Sequence, residues 1–255
     1  MGELYNISFE EESADIKDRV AGYWTKRADS FFDARYRELG SDKAGRWLDE
    51  ISALIPQGGS LDILDIGCGA GFFEVLLGKQ GHSVTGIDLT EDMIERTGQM
   101  VRLFGLDEGN VKAVSMDAEK LAFPDGTFDV VISRNLTWTL PHPVDAYQEW
   151  FRVLKTGGIL LNFDAEYAKN AHRWLKSPEN LAHQKISDEL KDECHEIYHM
   201  LAISGLARPV WDTAVLAQIG FSRIETDTGF GDRVYKERDE FYMPDRMFRI
   251  AAFKE

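Results

Sequence analysis

Cysteine is nearly absent: the 255 residues hold two, Cys68 and Cys194, too far apart for a metal-spaced pair and too few for a disulfide framework. That usage fits a reducing compartment. Positive charge is also short, 29 Lys and Arg against 44 Asp and Glu, which leaves a formal net charge of −15. Such an acidic chain is a poor match for the phosphates of DNA or RNA, so no nucleic-acid partner is expected. No stretch approaches the roughly 18 to 20 consecutive apolar residues of a membrane span. The start, Met1 to Asn6, has neither the apolar run of a signal peptide nor the Ser or Thr that myristoylation requires at position 6. The expectation is a soluble cytoplasmic protein with no membrane partner. What the chain does have is 44% apolar residues, enough for a substantial core. Its length suits one large α/β domain with an embellishment, or two small domains, at about 150 residues per domain.

Ile16, Val20, Trp24, Ala28, Phe31, Tyr36 and Leu39 recur at roughly helical spacing. After Gly40 a second helix opens at Ser41, with Ala44, Trp47, Leu48, Ile51 and Leu54 on one face. From residue 61 the period changes. Short apolar runs at 61–66, 83–87, 111–116, 128–133 and 159–163 alternate with helical stretches, the rhythm of a parallel sheet with helical crossovers. Gly81 punctuates the first crossover, Thr90 is the expected N-cap of the second, and Pro143 stands near the start of the fourth. Residues 166–210 carry helical patterns instead of a strand and read as an insertion over the sheet. A helix over 211–219, a strand over 221–227, a Gly/Asp-containing loop and a strand over Met247–Phe253 follow. Residues 1–55 thus read as a helical cap, 56–165 as an α/β core, 166–210 as the insertion, and 211–255 as the helix and strands that complete the core.

The first strand ends in Leu64-Asp65-Ile66-Gly67-Cys68-Gly69-Ala70-Gly71-Phe72. Glycines at a strand-to-helix turn let a nucleotide-like ligand approach the backbone. A dinucleotide fingerprint starting at Gly67 needs glycine or alanine where this chain has Phe72, and Asp65 would repel a pyrophosphate. The carboxylate instead suits a ligand with an ammonium group and no phosphate, such as S-adenosylmethionine (SAM). Asp88 closes the second strand 17 residues after Gly71, where it can accept both ribose hydroxyls. Asp117 closes the third, where it can receive an adenine amine. Each acid alone also reads as a turn or cap carboxylate; three in register with the glycine loop point to a cofactor site.

These segments resemble the class I SAM-dependent methyltransferases, in particular the small-molecule branch with ubiquinone and menaquinone C-methyltransferases. The likeness is carried by 61–72 (LDILDIGCGAGF), 84–93 (VTGIDLTEDM), 116–129 (MDAEKLAFPDGTFD) and 150–158 (WFRVLKTGG). It implies a doubly wound, seven-stranded, mostly parallel Rossmann-like sheet with an antiparallel last strand. It also implies Gly67 and Gly69 behind the methionine part, with Cys68 in the same loop, Asp88 on the ribose, Leu89 or Met93 against the adenine, and Asp117 with Ala118 at its edge. The product would be S-adenosylhomocysteine (SAH) and the partner a small-molecule methyl acceptor, taken by a monomer or homodimer. After the fourth strand many relatives have a short apolar-His sequence, whereas this chain reads Ser133-Arg134-Asn135-Leu136-Thr137-Trp138-Thr139.

Methyl transfer from a sulfonium needs alignment and exclusion of water more than it needs a base. Arg134 is a candidate partner for a carboxylate of cofactor or acceptor, and Trp138 for stacking on the acceptor or sulfonium. Asp164, at the end of the fifth strand, is a candidate base, with a helix cap as the plainer reading. Tyr23, Trp24 and Arg27 of the first helix can close over the methionine end. In the insertion His195 and His199 stand one helical turn apart, a spacing open to a polar substrate or a metal, or simply to surface packing. With Tyr167, Trp174 and Tyr198 they are read as a lid that selects the acceptor. Arg208 and Trp211 are further candidates for the acceptor pocket. A SAM-binding sensor or subunit without turnover remains an alternative, and an NAD-dependent oxidoreductase a second, which Phe72 and Asp65 speak against.

Overall fold

The computed structural model describes residues 10–255, apart from the side chains of residues 10–13, Asn170, His172 and Trp174. The readings of Met1 to Asn6 and of the Trp174 side chain lie outside the described residues. Two helices come first, α1 (Glu10–Leu39) and α2 (Asp42–Ser52), and Ser41 caps the second, its hydroxyl accepting from the Lys43 N–H. Strand and helix then alternate: β1 (Asp62–Ile66), α3 (Phe72–Gly78), β2 (Ser83–Asp88), α4 (Glu91–Leu103), β3 (Val111–Ser115), β4 (Phe128–Arg134), α5 (Pro143–Val153) and β5 (Leu154–Ala165). The insertion is helical, with α6 (Ala171–Trp174), α7 (Asp188–Met200) and three short 3-10 turns. α8 (Val210–Ile219), β6 (Arg223–Asp227), α9 (Phe230–Val234) and β7 (Met247–Phe253) close the chain.

The seven strands lie in the order β3-β2-β1-β4-β5-β7-β6, the first five parallel and β7 antiparallel to both neighbours. Both faces are covered, so β1 and β4 are apolar on both sides. Ile63, Val130, Ile132, Leu161 and Phe163 face α1, α2 and α3 across one core, while Leu64, Ile66, Val131 and Leu160 face α5 and α8 across the other. Strand order reverses between β1 and β4, and a crevice opens there at the carboxyl edge.

Three local expectations change. The fifth strand starts at Leu154, five residues early, because the turn with Gly157 at φ +83° still pairs with the chain end through Lys254. The stretch read as a Gly/Asp loop holds α9, whose Phe230 is fully buried. Thr90 precedes α4, but its hydroxyl donates to Asp88 Oδ1 (2.9 Å) rather than capping the helix.

Trp47 of α2 is the bolt of the first core. Its ring meets Phe72, Phe73, Phe163 and Phe230 at centroid distances of 4.8 to 6.0 Å, joining α2, α3, β5 and α9. Trp47→Ala is expected to lower the unfolding free energy by about 3–5 kcal/mol, measured by denaturant titration. A loss below about 1 kcal/mol would show that α2 is dispensable to this core.

Candidate active site

The loop after β1 is built from left-handed glycines, Gly67 at φ +73°, Gly69 at +54° and Gly71 at +84°. An L side chain is strained at each, and at two of them it would also collide. A Cβ on Gly69 would lie 2.7 Å from the Phe31 ring, and one on Gly67 2.9 Å from Leu136. Without side chains at these positions, Phe31 and Leu136 pack directly on the loop backbone. Asp88 at the tip of β2 steadies the loop: Oδ2 accepts from the Gly69 N–H (3.1 Å), and Oδ1 accepts from the Thr90 N–H and hydroxyl. Burial raises the Asp88 carboxyl above its usual range, against the pull of those donors. Oδ2 keeps a lone pair for a further donor, while both lone pairs of Oδ1 are taken. Leu89, Met93, Met116 and Ala118 continue the wall, and Asp117 stands at its edge, its Oδ2 taken by Lys17 Nζ at 2.6 Å.

The facing wall is α1. Lys17, Val20, Trp24, Arg27, Phe31 and Arg35 recur at helical spacing and all line the cleft. At the glycine-loop end, Glu38 is fully buried between two arginines. Arg134 Nη2 donates to both Glu38 oxygens (3.0 and 3.1 Å), Arg35 Nη1 lies 2.7 Å away, and the Tyr235 hydroxyl donates at 2.7 Å. Burial alone would raise the Glu38 carboxyl, but the Arg134 and Arg35 charges hold it below the usual range. The Arg134 guanidinium lies over Trp47 and Phe72, 4.5 and 4.8 Å from their centroids. Two guanidiniums against one carboxylate leave a net positive charge, and Arg134 Nε and Nη1 and Arg35 Nε have no hydrogen-bond partner. That is a donor set for an incoming carboxylate.

Between these ends the cleft widens into an aromatic chamber. Trp138 packs on Tyr198 and Tyr167, at 4.7 and 5.9 Å between centroids, and the Tyr167 hydroxyl donates to Asn135 Oδ1. Tyr23 accepts from Arg27 Nη1 (2.9 Å), and burial raises its phenol, so it stays protonated. His183 and Cys194 come from the insertion.

Of the residues expected from sequence, Gly67, Gly69, Asp88, Leu89, Met93, Asp117, Ala118, Arg134, Trp138 and Tyr23 line one cleft. Four do not. Asp65, expected beside an ammonium, is 2% exposed beneath the loop and faces Glu74 of α3. Asp65 Oδ1 and both Glu74 carboxyl oxygens are buried without a donor; burial raises both acids, Glu74 well above its range with the Asp65 charge adding to it, and Asp65 to about 8, the hydrogen bond to Glu74 pulling down and the Asp88 charge pushing up. The Cys68 thiol turns inward to Thr97 and Gly86. Asp164 is not a free base: Arg208 Nη1 sits 2.8 Å from its Oδ2, and Arg208 also pairs with Asp212, so neither Asp164 nor Arg208 reaches the cleft. His199 is exposed on α7, 3.0 Å from His195, and no group of three metal-ligating residues occurs among the described residues. Trp211 packs on the second core near Tyr147. Sequence reading missed Arg35, Glu38, Tyr235, His183 and Phe241. The helical stripe Tyr23, Arg27, Phe31, Arg35 and Glu38 was the signal for two of them; the others come from distant segments.

Strand order and a left-handed glycine loop facing an acid at the tip of β2 define an α/β domain of the class I methyltransferase type. Residues 64–162 match the methyltransferase-domain family. The chain is 34% identical over 132 residues to a rice cycloartenol-C-24-methyltransferase, covering 51% of this chain and 37% of that one. It is 31% identical over 123 residues to a demethylmenaquinone methyltransferase of Listeria welshimeri, 47% of this chain and 51% of that one. The chain therefore spans about a third to a half of these relatives. A crystal structure of a SAM-dependent methyltransferase from Aquifex aeolicus superposes with a TM-score of 0.54 at 18% identity, covering 82% of this chain and 89% of that one. Residues 64–162 are thus similar to a methyltransferase domain, and the sheet that holds them has the fold of SAM-dependent methyltransferases.

The Asp65–Glu74 pair makes stability depend on pH. Asp65 is raised above its unfolded value, so the protonated pair stabilises the fold below the ordinary carboxylate range, and that contribution is lost as pH rises through about 8. The wild-type Tm should fall between about pH 6 and about pH 9, whereas Glu74→Gln, which donates to Asp65 at any pH, should show a flatter profile. Parallel melting curves would remove the shared proton from the account.

Proposed function

We propose that this protein transfers the methyl group of SAM to a small-molecule acceptor and releases SAH. The observation that carries the reading is the meeting of left-handed Gly67 and Gly69 with Asp88 in one cleft. The residues present fit the cofactor. Asp88 has a free lone pair on Oδ2, and a second on Oδ1 once the Thr90 hydroxyl turns away, for the ribose hydroxyls; Leu89, Met93 and Ala118 offer apolar walls to the adenine, and Asp117 lies at its edge. The unpartnered N–H groups of Arg134 and Arg35 match the methionine carboxylate.

When bound, SAM supplies an electrophilic methyl group whose leaving group departs as a neutral thioether. The work left to the chain is alignment and exclusion of water, done by α1 on one side and by residues 166–210 as a lid on the other. Tyr23 and Trp138 shape the space for the acceptor. Neither Asp164 nor His199 takes a proton in this reading. No helix among the described residues is long and apolar enough to cross a membrane. The reading keeps the protein in the cytoplasm as a monomer or homodimer, with no nucleic-acid or membrane partner.

Asp88→Ala removes the acceptor of two hydrogen bonds and is expected to weaken SAM binding by about 10- to 1000-fold in calorimetric titration, with Asp88→Asn between it and the wild type. Unchanged affinity would sink the assignment. With methyl-labelled SAM and a metabolite extract, acceptor-dependent SAH formation is expected; binding without turnover would make the chain a SAM sensor or subunit.

A further inference from the structure

α1 carries three cations along its cleft face, Lys17, Arg27 and Arg35. At 1.5 Å per residue they stand about 15 and about 12 Å apart. The outer two have carboxylate partners, Asp117 and Glu119 for Lys17 and, shared with Arg134, Glu38 for Arg35. The middle one does not. Arg27 is 7% exposed, its Nη1 donates to the Tyr23 hydroxyl (2.9 Å) and its Nε to the Ser30 hydroxyl (3.2 Å), and it has no carboxylate partner among the described residues. Nη2 has no hydrogen-bond partner among them either. The guanidinium is flanked by the Tyr23 and Trp24 rings, 5.8 and 5.9 Å from their centroids.

His183 does not supply the missing anion or compete for it. Buried, and beside Arg27 and Lys191, its imidazole is pushed down to about 3 and stays neutral. Its Nδ1 lies 3.1 Å from the amide of Asn180, whose other amide atom is buried without a partner. A chain of net charge −15 thus keeps an uncompensated guanidinium inside an aromatic chamber. Such a charge is costly unless a ligand brings the counter-ion. The cofactor has no need of it, since its one carboxylate is matched by Arg35 and Arg134 at the end of the cleft.

We propose that Arg27 is the carboxylate-binding residue of the acceptor pocket, so that the methyl acceptor is an organic acid whose apolar body lies among Tyr23, Trp24, Trp138 and Tyr198. The inference rests on the methyltransferase reading. A planar carboxylate matches the guanidinium fork, and a monoanion enters an apolar chamber at lower desolvation cost than a phosphate dianion.

Benzoate and its neutral isostere benzamide are suitable probes, titrated by tryptophan fluorescence with and without saturating SAH, since Trp24 and Trp138 line the chamber. Benzoate is expected to bind at least about tenfold more tightly than benzamide. Arg27→Met should abolish that preference while leaving SAH affinity within about threefold, and Arg27→Lys should keep part of it. Arg27→Gln replaces the Met variant if that one does not fold. Equal binding of the two probes to the wild type, or a preference that survives in Arg27→Met and Arg27→Gln, would overturn the proposal. So would a loss of SAH affinity as large as the loss of benzoate affinity, which would give Arg27 to the cofactor. Failure of the methyltransferase reading shows separately, as absent SAH binding to a wild type that still prefers benzoate.

Discussion

The burial of Glu38 between Arg35 and Arg134 is the constraint on which the cleft depends. Three ionised groups out of water are tolerable only when their geometry is fixed, and here one carboxylate accepts from two guanidiniums and a phenol. The four residues come from α1, the end of β4 and the segment after α9. Their meeting therefore pins the C-terminal part of α1 to the sheet. Ion pairs from Arg46 to Glu237 and Lys43 to Asp239 tie α2 to the same segment, and Arg19 to Glu193 ties α1 to the insertion. With α1 held across the carboxyl edge, Phe31 comes down on Gly69 and Lys17 reaches Asp117. The glycine loop then has a roof as well as a floor.

The sheet was legible because its signals are local. Each strand is a short apolar run, each crossover has its Gly, Thr or Pro punctuation, and the acids at 88 and 117 stand at strand tips whatever the rest of the chain does. Asp65 was misread for a reason that no local pattern contains. Its partner Glu74 lies on the next helix, where Gly86 of β2 leaves space for a second carboxyl, and the two acids share a proton under the loop. Asp164 ends its strand as expected, but Arg208 arrives from the far side of the insertion to neutralise it. The His195 and His199 spacing was read correctly as one turn of helix; which side of α7 faces the cleft depends on packing, and Cys194 and Tyr198 take that side. Tyr235 and Phe241, from a segment without periodicity, gave no signal.

Charge is distributed unevenly between outside and inside. The exterior carries the acidic excess, while the cleft sets Lys17, Arg27, Arg35 and Arg134 against Asp88, Asp117 and Glu240, with Glu38 and Glu119 buried behind the cations. Arg27 alone of these cations lacks a carboxylate partner among the described residues, which leaves room for an anionic group of the acceptor. The candidate base suggested by sequence, Asp164, is spent on Arg208, and Tyr23 is held as a neutral phenol, so the chemistry rests on alignment within the chamber.

The central claim is that the cofactor lies between the glycine loop and α1. Hydrogen–deuterium exchange with and without SAH tests it most directly. The account predicts slowed exchange at 67–69, 88–93 and 116–118 and along α1 from 17 to 35, with no such change on adding NADH. Protection that spares the glycine loop and α1, or an equal pattern with NADH, would contradict it.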